Sequence, residues 1–234
     1  AKRLGLELRV ITAKPDFLSL LPRLSHFMED GFTDPAAINT YLICEGARKD
    51  GVKVMLSGQG ADEYLGGYRR YIAEKGLGKT PRLLRSALSR LGSLLPETTP
   101  GRFNALNRRV KRLAQLAGHS RASRILGMYT WTSKQMVDGL FTAPLDYDFG
   151  EAFLEMFDTF SDYDIVDAMM ELDHHYDLMS LNLSYTDRMS MAVGIETRVP
   201  FLDLDLVRVM NSISAGLKVK GKQGKYVLKK AMEP

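Results

Sequence analysis

Residues 54–71 run VMLSGQGADEYLGGYRRY, and the fold is decided by how this stretch changes character. The apolar run Val54-Met55-Leu56 stops abruptly at Ser57-Gly58-Gln59-Gly60, and the acids Asp62 and Glu63 follow at once. An amphipathic segment begins there, with Gly66-Gly67 inside it and aromatics at Tyr64, Tyr68 and Tyr71. The pattern predicts a buried strand, a glycine turn and a helix N-terminus with carboxylates beside it. In α/β proteins ligands gather at the carboxyl ends of strands, where free backbone N–H groups and glycine's small size let a nucleotide come close. Acids near a helix N-terminus are favourable without any ligand. The pattern alone therefore leaves a plain strand–turn–helix open.

Working outward, residues 1–6 read as the end of a helix capped by Gly5, residues 7–12 as a strand and residues 15–29 as a helix. Asp34-Pro35 opens another helix through Ala47, with proline suited to the first turn. Residues 52–56 form the second strand. After Tyr71 no further strand is predicted. Helices are expected over 81–95, 102–117, 122–128, 134–139, 151–161, 164–182 and 203–214, with loops at 76–80 and 141–150 and a turn at 96–101. Two strands do not make a stable parallel sheet alone, because such sheets are covered on both faces by crossover helices. The remaining strands are expected upstream.

The chain of 234 residues is long enough to bury a sizeable core, and 45% hydrophobic with 26% charged residues is ordinary for a globular protein. No apolar run approaches the roughly 18 residues that span a bilayer, and no signal pattern opens the sequence, so a soluble, cytoplasmic protein without membrane contact is expected. Cys44 is the only cysteine; intramolecular disulfides are excluded, and its apolar helical setting predicts a buried structural thiol. The net charge of +4 hides an asymmetry. Residues 79–124 hold eleven lysines and arginines against Glu97 alone, whereas residues 135–187 hold none. Such a block could attract a polyanion. Its arginines alternate with Leu83, Leu84, Leu88 and Leu91 at helical spacing, which predicts the solvated face of a packed helix and argues against nucleic acid. His174 and His175 are adjacent and so point about 100° apart on a helix, unlike the i, i+4 pair of a zinc helix; packing or capping is expected of them.

The exact string at residues 56–71, LSGQGADEYLGGYRRY, resembles the LSG-x-G-x-DE-x-x-GGY segment of glutamine-dependent asparagine synthetases. Residues 187–203, DRMSMAVGIETRVPFLD, resemble that family's DR-x-SM-x-x-x-x-E-x-R-x-PFLD, and residues 216–232, GLKVKGKQGKYVLKKAM, its LK-(loop)-GK-x-x-LR-x-A. Three ordered segments at compatible spacing are far more specific than any one. The resemblance implies an α/β PP-loop ATP-pyrophosphatase (adenine nucleotide alpha hydrolase-like) domain, truncated at its N-terminal side and predominantly helical in this stretch. Residues 1–75 would be the C-terminal part of the nucleotide-binding sheet region and residues 76–234 the helical remainder. The family's S-G-G-x-D-S phosphate loop does not occur here, which is why truncation is expected.

The family activates a carboxylate with ATP and magnesium as an acyl-adenylate, and ammonia from glutamine then displaces AMP. The resemblance assigns nucleotide contacts to Ser57, Gly58 and Gly60, a magnesium ligand to Asp62, and catalytic roles to Lys225 and Gln59. Gln59 departs from the acid that many relatives carry; its amide cannot act as a base, which opens the identity of the acceptor. Glu63, Asp187, Arg188, Glu196 and Arg198 would support the site, with the last two as buried paired charges. The implied partners are ATP, aspartate or another carboxylate such as a sugar acid, ammonia delivered by an N-terminal glutaminase domain, and a second copy in a homodimer. A β-lactam-forming synthetase and a catalytically silent anion-binding module are the alternatives. The chain alone is expected to be inactive.

Overall fold

The computed structural model describes residues 4–11, 17–29, 34–94, 104–143, 145, 146, 148 and 150–233. In chain order come α1 (Phe17–Met28), α2 (Ala36–Lys49), β1 (Val54–Leu56), α3 (Ala61–Leu65), α4 (Arg69–Lys79), α5 (Arg82–Leu94) and α6 (Asn104–Ala117). Then follow α7 (Arg121–Tyr129), α8 (Lys134–Asp138), α9 (Glu151–Thr159), α10 (Ile165–Asp173), a π-helix (His174–Leu183) and α11 (Ser184–Met191). The chain closes with β2 (Glu196–Arg198), a 3-10 turn (Pro200–Leu202), α12 (Leu204–Ser212), α13 (Ala215–Lys218) and α14 (Tyr226–Ala231). The protein is mostly helical, as expected, and among the described residues no helix is long and apolar enough to cross a membrane.

Two compact units divide the chain: Ala1–Ala61 with His174–Val209, and Asp62–Asp173 with Met210–Pro234. In the first, α1, α2 and α11 enclose a core of Leu24, Met28, Ile38, Tyr41, Tyr185 and Met189. The apolar positions of α2 recur as Ala37, Ile38, Tyr41 and Cys44, one face of a helix. Cys44 is buried, and that burial pushes its thiol pKa up, with the Thr197 hydroxyl pulling the other way. β1 pairs with β2 in parallel register, Val54↔Glu196, Met55↔Thr197 and Leu56↔Arg198. Two flanking bonds extend the ladder, Glu196 N–H to the Lys53 carbonyl at 2.9 Å and Ser57 N–H to the Arg198 carbonyl at 2.8 Å.

Four expectations need correction here. β2 is a strand after Tyr71, where none is predicted: its sequence, Glu-Thr-Arg, has no apolar run to announce it. β1 is not buried. Val54 and Leu56 are exposed, because an apolar strand is covered only by what packs on it, and among the described residues β2 alone lies alongside. Residues 7–11 form no strand; Thr12, the first three residues, the start of the helix predicted from 15 and the turn at 96–101 lie outside the described residues. The helix expected over 164–182 changes to a π-helix at His174, a widening that no residue pattern here signals.

In the second unit Tyr71, Ile125, Phe153, Phe157, Val166, Met169 and Leu172 are buried on α4, α7, α9 and α10. Helices α5 and α6 pack closely through small side chains. A Cβ on Gly92 would lie 2.5 Å from Ala114 Cβ, and Ser89 Oγ donates to the Gln115 carbonyl at 3.0 Å. The leucines expected to pack α5 do the opposite: Leu83 is 87% exposed and Leu91 62%. Arg85, Ser89 and Gly92 at i, i+4 and i+7 form the inward face instead, since small residues let two backbones approach.

A buried ion pair joins α4 to α7. Arg124 donates from Nε and Nη2 to the two carboxylate oxygens of Glu74 at 3.0 and 2.5 Å, and from Nη1 to the His119 carbonyl at 3.0 Å. Both side chains are at most 2% exposed. The bidentate geometry offsets desolvation, but only while both partners are present. Arg124→Met alone is expected to cost about 3–5 kcal/mol because it strands Glu74. Adding Glu74→Leu should recover most of that loss in urea denaturation. Equal stability of the single and double variants would show that Arg124→Met does not leave Glu74 stranded.

Candidate functional site

The glycine turn after β1 belongs to the first unit as far as Ala61. Ser57 is half-buried and held by its N–H bond to Arg198, so the strand end is fixed by β2. Gly58 is exposed, with nothing within 4 Å of where a Cβ would stand. Gly60 is buried at φ +87°, and a Cβ there would collide with the Leu202 side chain. Glycine is required at 60 on two counts, backbone and space. The turn thus packs on the Pro200–Leu202 segment, which brings two of the sequence motifs together.

Gln59 is anchored at one end only. Its Nε2 donates to Thr186 Oγ1 at 2.5 Å and to the Asn182 carbonyl, in the π-helix, at 3.3 Å. Its Oε1 is buried with no hydrogen-bond partner. A buried acceptor left unpaired costs about 1–3 kcal/mol. Neither Thr186 nor Asn182 was singled out by sequence. Asn182 acts through its backbone, which leaves no trace in residue identity.

The charged residues singled out in the first unit do not join Gln59. Glu196 and Arg198 pair with each other at 2.7 Å and are more than half exposed, not buried as expected; on a strand the two alternate residues share one face, here the open one. Arg188 donates to the Met28 carbonyl and lies 3.4 Å from Glu29, bracing α11 against α1. Asp187 is exposed. His174 and His175 fall in the π-helix, and the His175 carbonyl accepts from Ser180 Oγ at 3.0 Å.

In the second unit the structure brings together Asp62 and Lys225, from motifs at opposite ends of the chain. Lys225 Nζ lies 2.9 Å from Asp62 Oδ1, with both side chains partly exposed. Asp62 sits in the first turn of α3, whose dipole favours a carboxylate. Lys225 precedes α14 at φ +52°, a left-handed conformation unusual for lysine. Its N–H donates to the Leu65 carbonyl at 3.1 Å. Two glycines make room: a Cβ on Gly67 would overlap Asp62 Oδ1 and crowd Lys225 Cε, and a Cβ on Gly224 would overlap the Gly66 carbonyl. Glu63 is buried and accepts from Tyr68 OH at 2.5 Å. Tyr71, on the same face as Tyr68, is buried and donates to Asp173.

Magnitudes separate a structural from a chemical role for the Asp62–Lys225 pair. A partly exposed ion pair contributes at most about 1 kcal/mol, and left-handed backbone at a non-glycine residue costs about 1–3 kcal/mol. The arrangement therefore adds little net stability. It holds an ammonium and a carboxylate in fixed register at the edge of the unit. Among the described residues no group of three or more His, Cys, Asp or Glu could hold a metal by itself. Magnesium is ordinarily held by one or two carboxylates with phosphate oxygens completing the shell, so Asp62 fits as one ligand.

The sequence family described as asparagine synthase matches residues 1–234. Asparagine synthetase (glutamine-hydrolyzing) 1 of Bacillus subtilis is 30% identical over 240 residues, covering 100% of this chain and 36% of its own length. A protein of Mycobacterium tuberculosis, provisionally named asparagine synthetase (glutamine-hydrolyzing), is 28% identical over 228 residues, covering 96% of this chain and 33% of its own length. The chain thus spans about a third of the curated relatives it matches. No solved structure matches it.

Space at Gly67 can be tested directly, because its backbone is one that alanine adopts. Gly67→Ala is expected to destabilise by about 1–3 kcal/mol through overpacking. Gly76→Ala, in α4 with nothing within 4 Å of the added Cβ, should instead stabilise by about 0.4–1 kcal/mol. Urea melts of both variants decide; a neutral Gly67→Ala would mean that Asp62 and Lys225 are not held in this contact.

Proposed function

Because the chain belongs to the asparagine synthase family, we propose that it carries the ATP-dependent amidation of aspartate to asparagine through a β-aspartyl-adenylate. Ammonia would come from glutamine hydrolysed by a separate N-terminal domain. The fold proposed is the PP-loop ATP-pyrophosphatase type, with residues 1–75 contributing to the nucleotide-binding sheet. The observation that carries this reading is the Asp62–Lys225 pair at 2.9 Å, formed from two of the three motif segments.

Amidating a carboxylate in water is uphill, so the acid is first activated as its adenylate. Magnesium, when bound, neutralises the polyphosphate and orients it for displacement. Asp62 would supply a carboxylate oxygen to that ion. Lys225 would set its ammonium against the charge that develops on the acyl oxygen and leaving group, in an orientation fixed before reaction. Ser57, Gly58 and Gly60 would contact the nucleotide through the backbone of the turn. Gln59 Oε1 would accept a hydrogen bond from an N–H of the acceptor substrate or of ammonia. Glu63 would support the α3–α4 turn through Tyr68, and Arg188 would brace α11 against α1. The neutral Gln59 favours, as a second reading, an acceptor other than aspartate, such as a sugar acid or the amine-bearing acid of a lactam.

The test is carboxylate-dependent pyrophosphate release with magnesium and ammonia, on a protein of the relatives' length that contains this chain. Aspartate should stimulate release, and Asp62→Ala should lower it by about 100-fold or more. Stimulation by a sugar acid but not aspartate would transfer the activity to the second reading. Absence of release with every acid tried would overturn the amidation reading.

A further inference from the structure

Arg82, Arg85 and Arg121 surround one cavity of the second unit, and none of them makes an ion pair among the described residues. The cavity measures about 420 Å³ and lies where the start of α5 meets the junction of α6 and α7. His119, Ser120 and Arg124 complete its polar wall, and among the described residues no acidic side chain lines it. Arg124 is not available to a ligand, because Glu74 and the His119 carbonyl hold it. The three remaining guanidinium groups carry permanent charge that nothing in the wall balances.

We propose that this cavity binds a small phosphate-bearing anion. Arginine's planar fork matches phosphate oxygens two at a time, whereas a solvated surface face would need no such convergence. Arg85 adds the sharper observation: its Nε is buried and has no hydrogen-bond partner, on the inward face of α5. A buried charged donor without an acceptor is costly, and the same side chain lines the cavity. The nine-residue helix α7 begins at the same wall. Ser120 caps it by accepting from Ser123 N–H at 3.2 Å, and its first-turn N–H groups and dipole favour negative charge there. The volume lies within the roughly 300–1,000 Å³ of small-molecule sites, which suits inorganic phosphate, pyrophosphate or a sugar phosphate better than a polymer. This inference is independent of the amidation reading, since it uses none of Ser57, Gln59, Asp62 or Lys225.

Isothermal titration of the 234-residue chain with inorganic phosphate and with pyrophosphate, at low salt, tests it. Binding is expected with Kd of about 10 μM–1 mM, weakened at least about tenfold by Arg85→Gln and by the double variant Arg82→Gln/Arg121→Gln. Asp62→Ala should bind as the parent does, which separates this cavity from any phosphate held beside Asp62. Circular dichroism checks folding, and the double variant at two exposed positions decides the matter if Arg85→Gln does not fold. Binding that survives both arginine changes, or is abolished by Asp62→Ala, would overturn the proposal. So would no detectable heat with either phosphate or pyrophosphate up to about 10 mM, including the case in which only a long oligonucleotide binds. Pyrophosphate binding with phosphate silent, lost in the arginine variants, would support a site for the larger anion.

Discussion

The close approach of the α3–α4 turn to the loop before α14 is the constraint on which the second unit's chemistry depends. Neither segment could reach it with ordinary side chains, since Gly224 lies against the Gly66 carbonyl and Gly67 against Asp62. Once they meet, the Lys225 N–H finds the Leu65 carbonyl and its ammonium finds Asp62. Glycine inside or beside a helix costs about 0.5–1 kcal/mol relative to alanine. That cost recurs here at positions where a methyl group has nowhere to go. Sequence separation between the two segments makes the contact expensive to form and correspondingly specific once formed.

The rest of the second unit is organised around charges taken out of water in compensated sets. Asp173, fully buried, accepts from Arg70 and from Tyr71 OH. Burial first, and the Asp173 carboxylate second, raise the Tyr71 pKa well above its ordinary value, so the phenol stays a donor. The Arg70 guanidinium also lies 4.2 Å from the Tyr68 ring centroid and 4.4 Å from that of Tyr129, a desolvated cation held by π faces. Lys218 and Asp167 show the opposite balance. At 3.7 Å their attraction is too weak to outweigh burial, which lowers the pKa of the lysine and raises that of the aspartate.

Much of this was legible in the sequence, and the failures have physical causes. The helices announced themselves by periodicity, and the abrupt change at Ser57 marked the strand end and turn. What failed was burial. Val54 and Leu56 are apolar yet exposed, and the leucines of α5 face outward while Arg85, Ser89 and Gly92 face in. Periodicity states which residues share a face, not which face meets a neighbour. β2 was hidden because a three-residue strand of Glu-Thr-Arg draws its stability from its partner and not from its composition. The π-helix and the Asn182 carbonyl are backbone features, to which residue identity is nearly blind.

Gln59 shows how a local hydrogen-bond pattern constrains a residue whose role the motif alone left open. A carbonyl oxygen can only accept, so the bond to Asn182 fixes which end of the Gln59 amide is nitrogen. The Oε1 is therefore an acceptor by elimination, and it is the buried atom without a partner. A carboxylate at this position would set one of its oxygens against the Asn182 carbonyl, two acceptors with no proton between them. The amide is thus matched to the π-helix that faces it: the widened helix turns the Asn182 carbonyl toward Gln59, and the Gln59 amide nitrogen donates to it. The neutral residue at 59 follows from the backbone it meets as much as from the substrate it would serve.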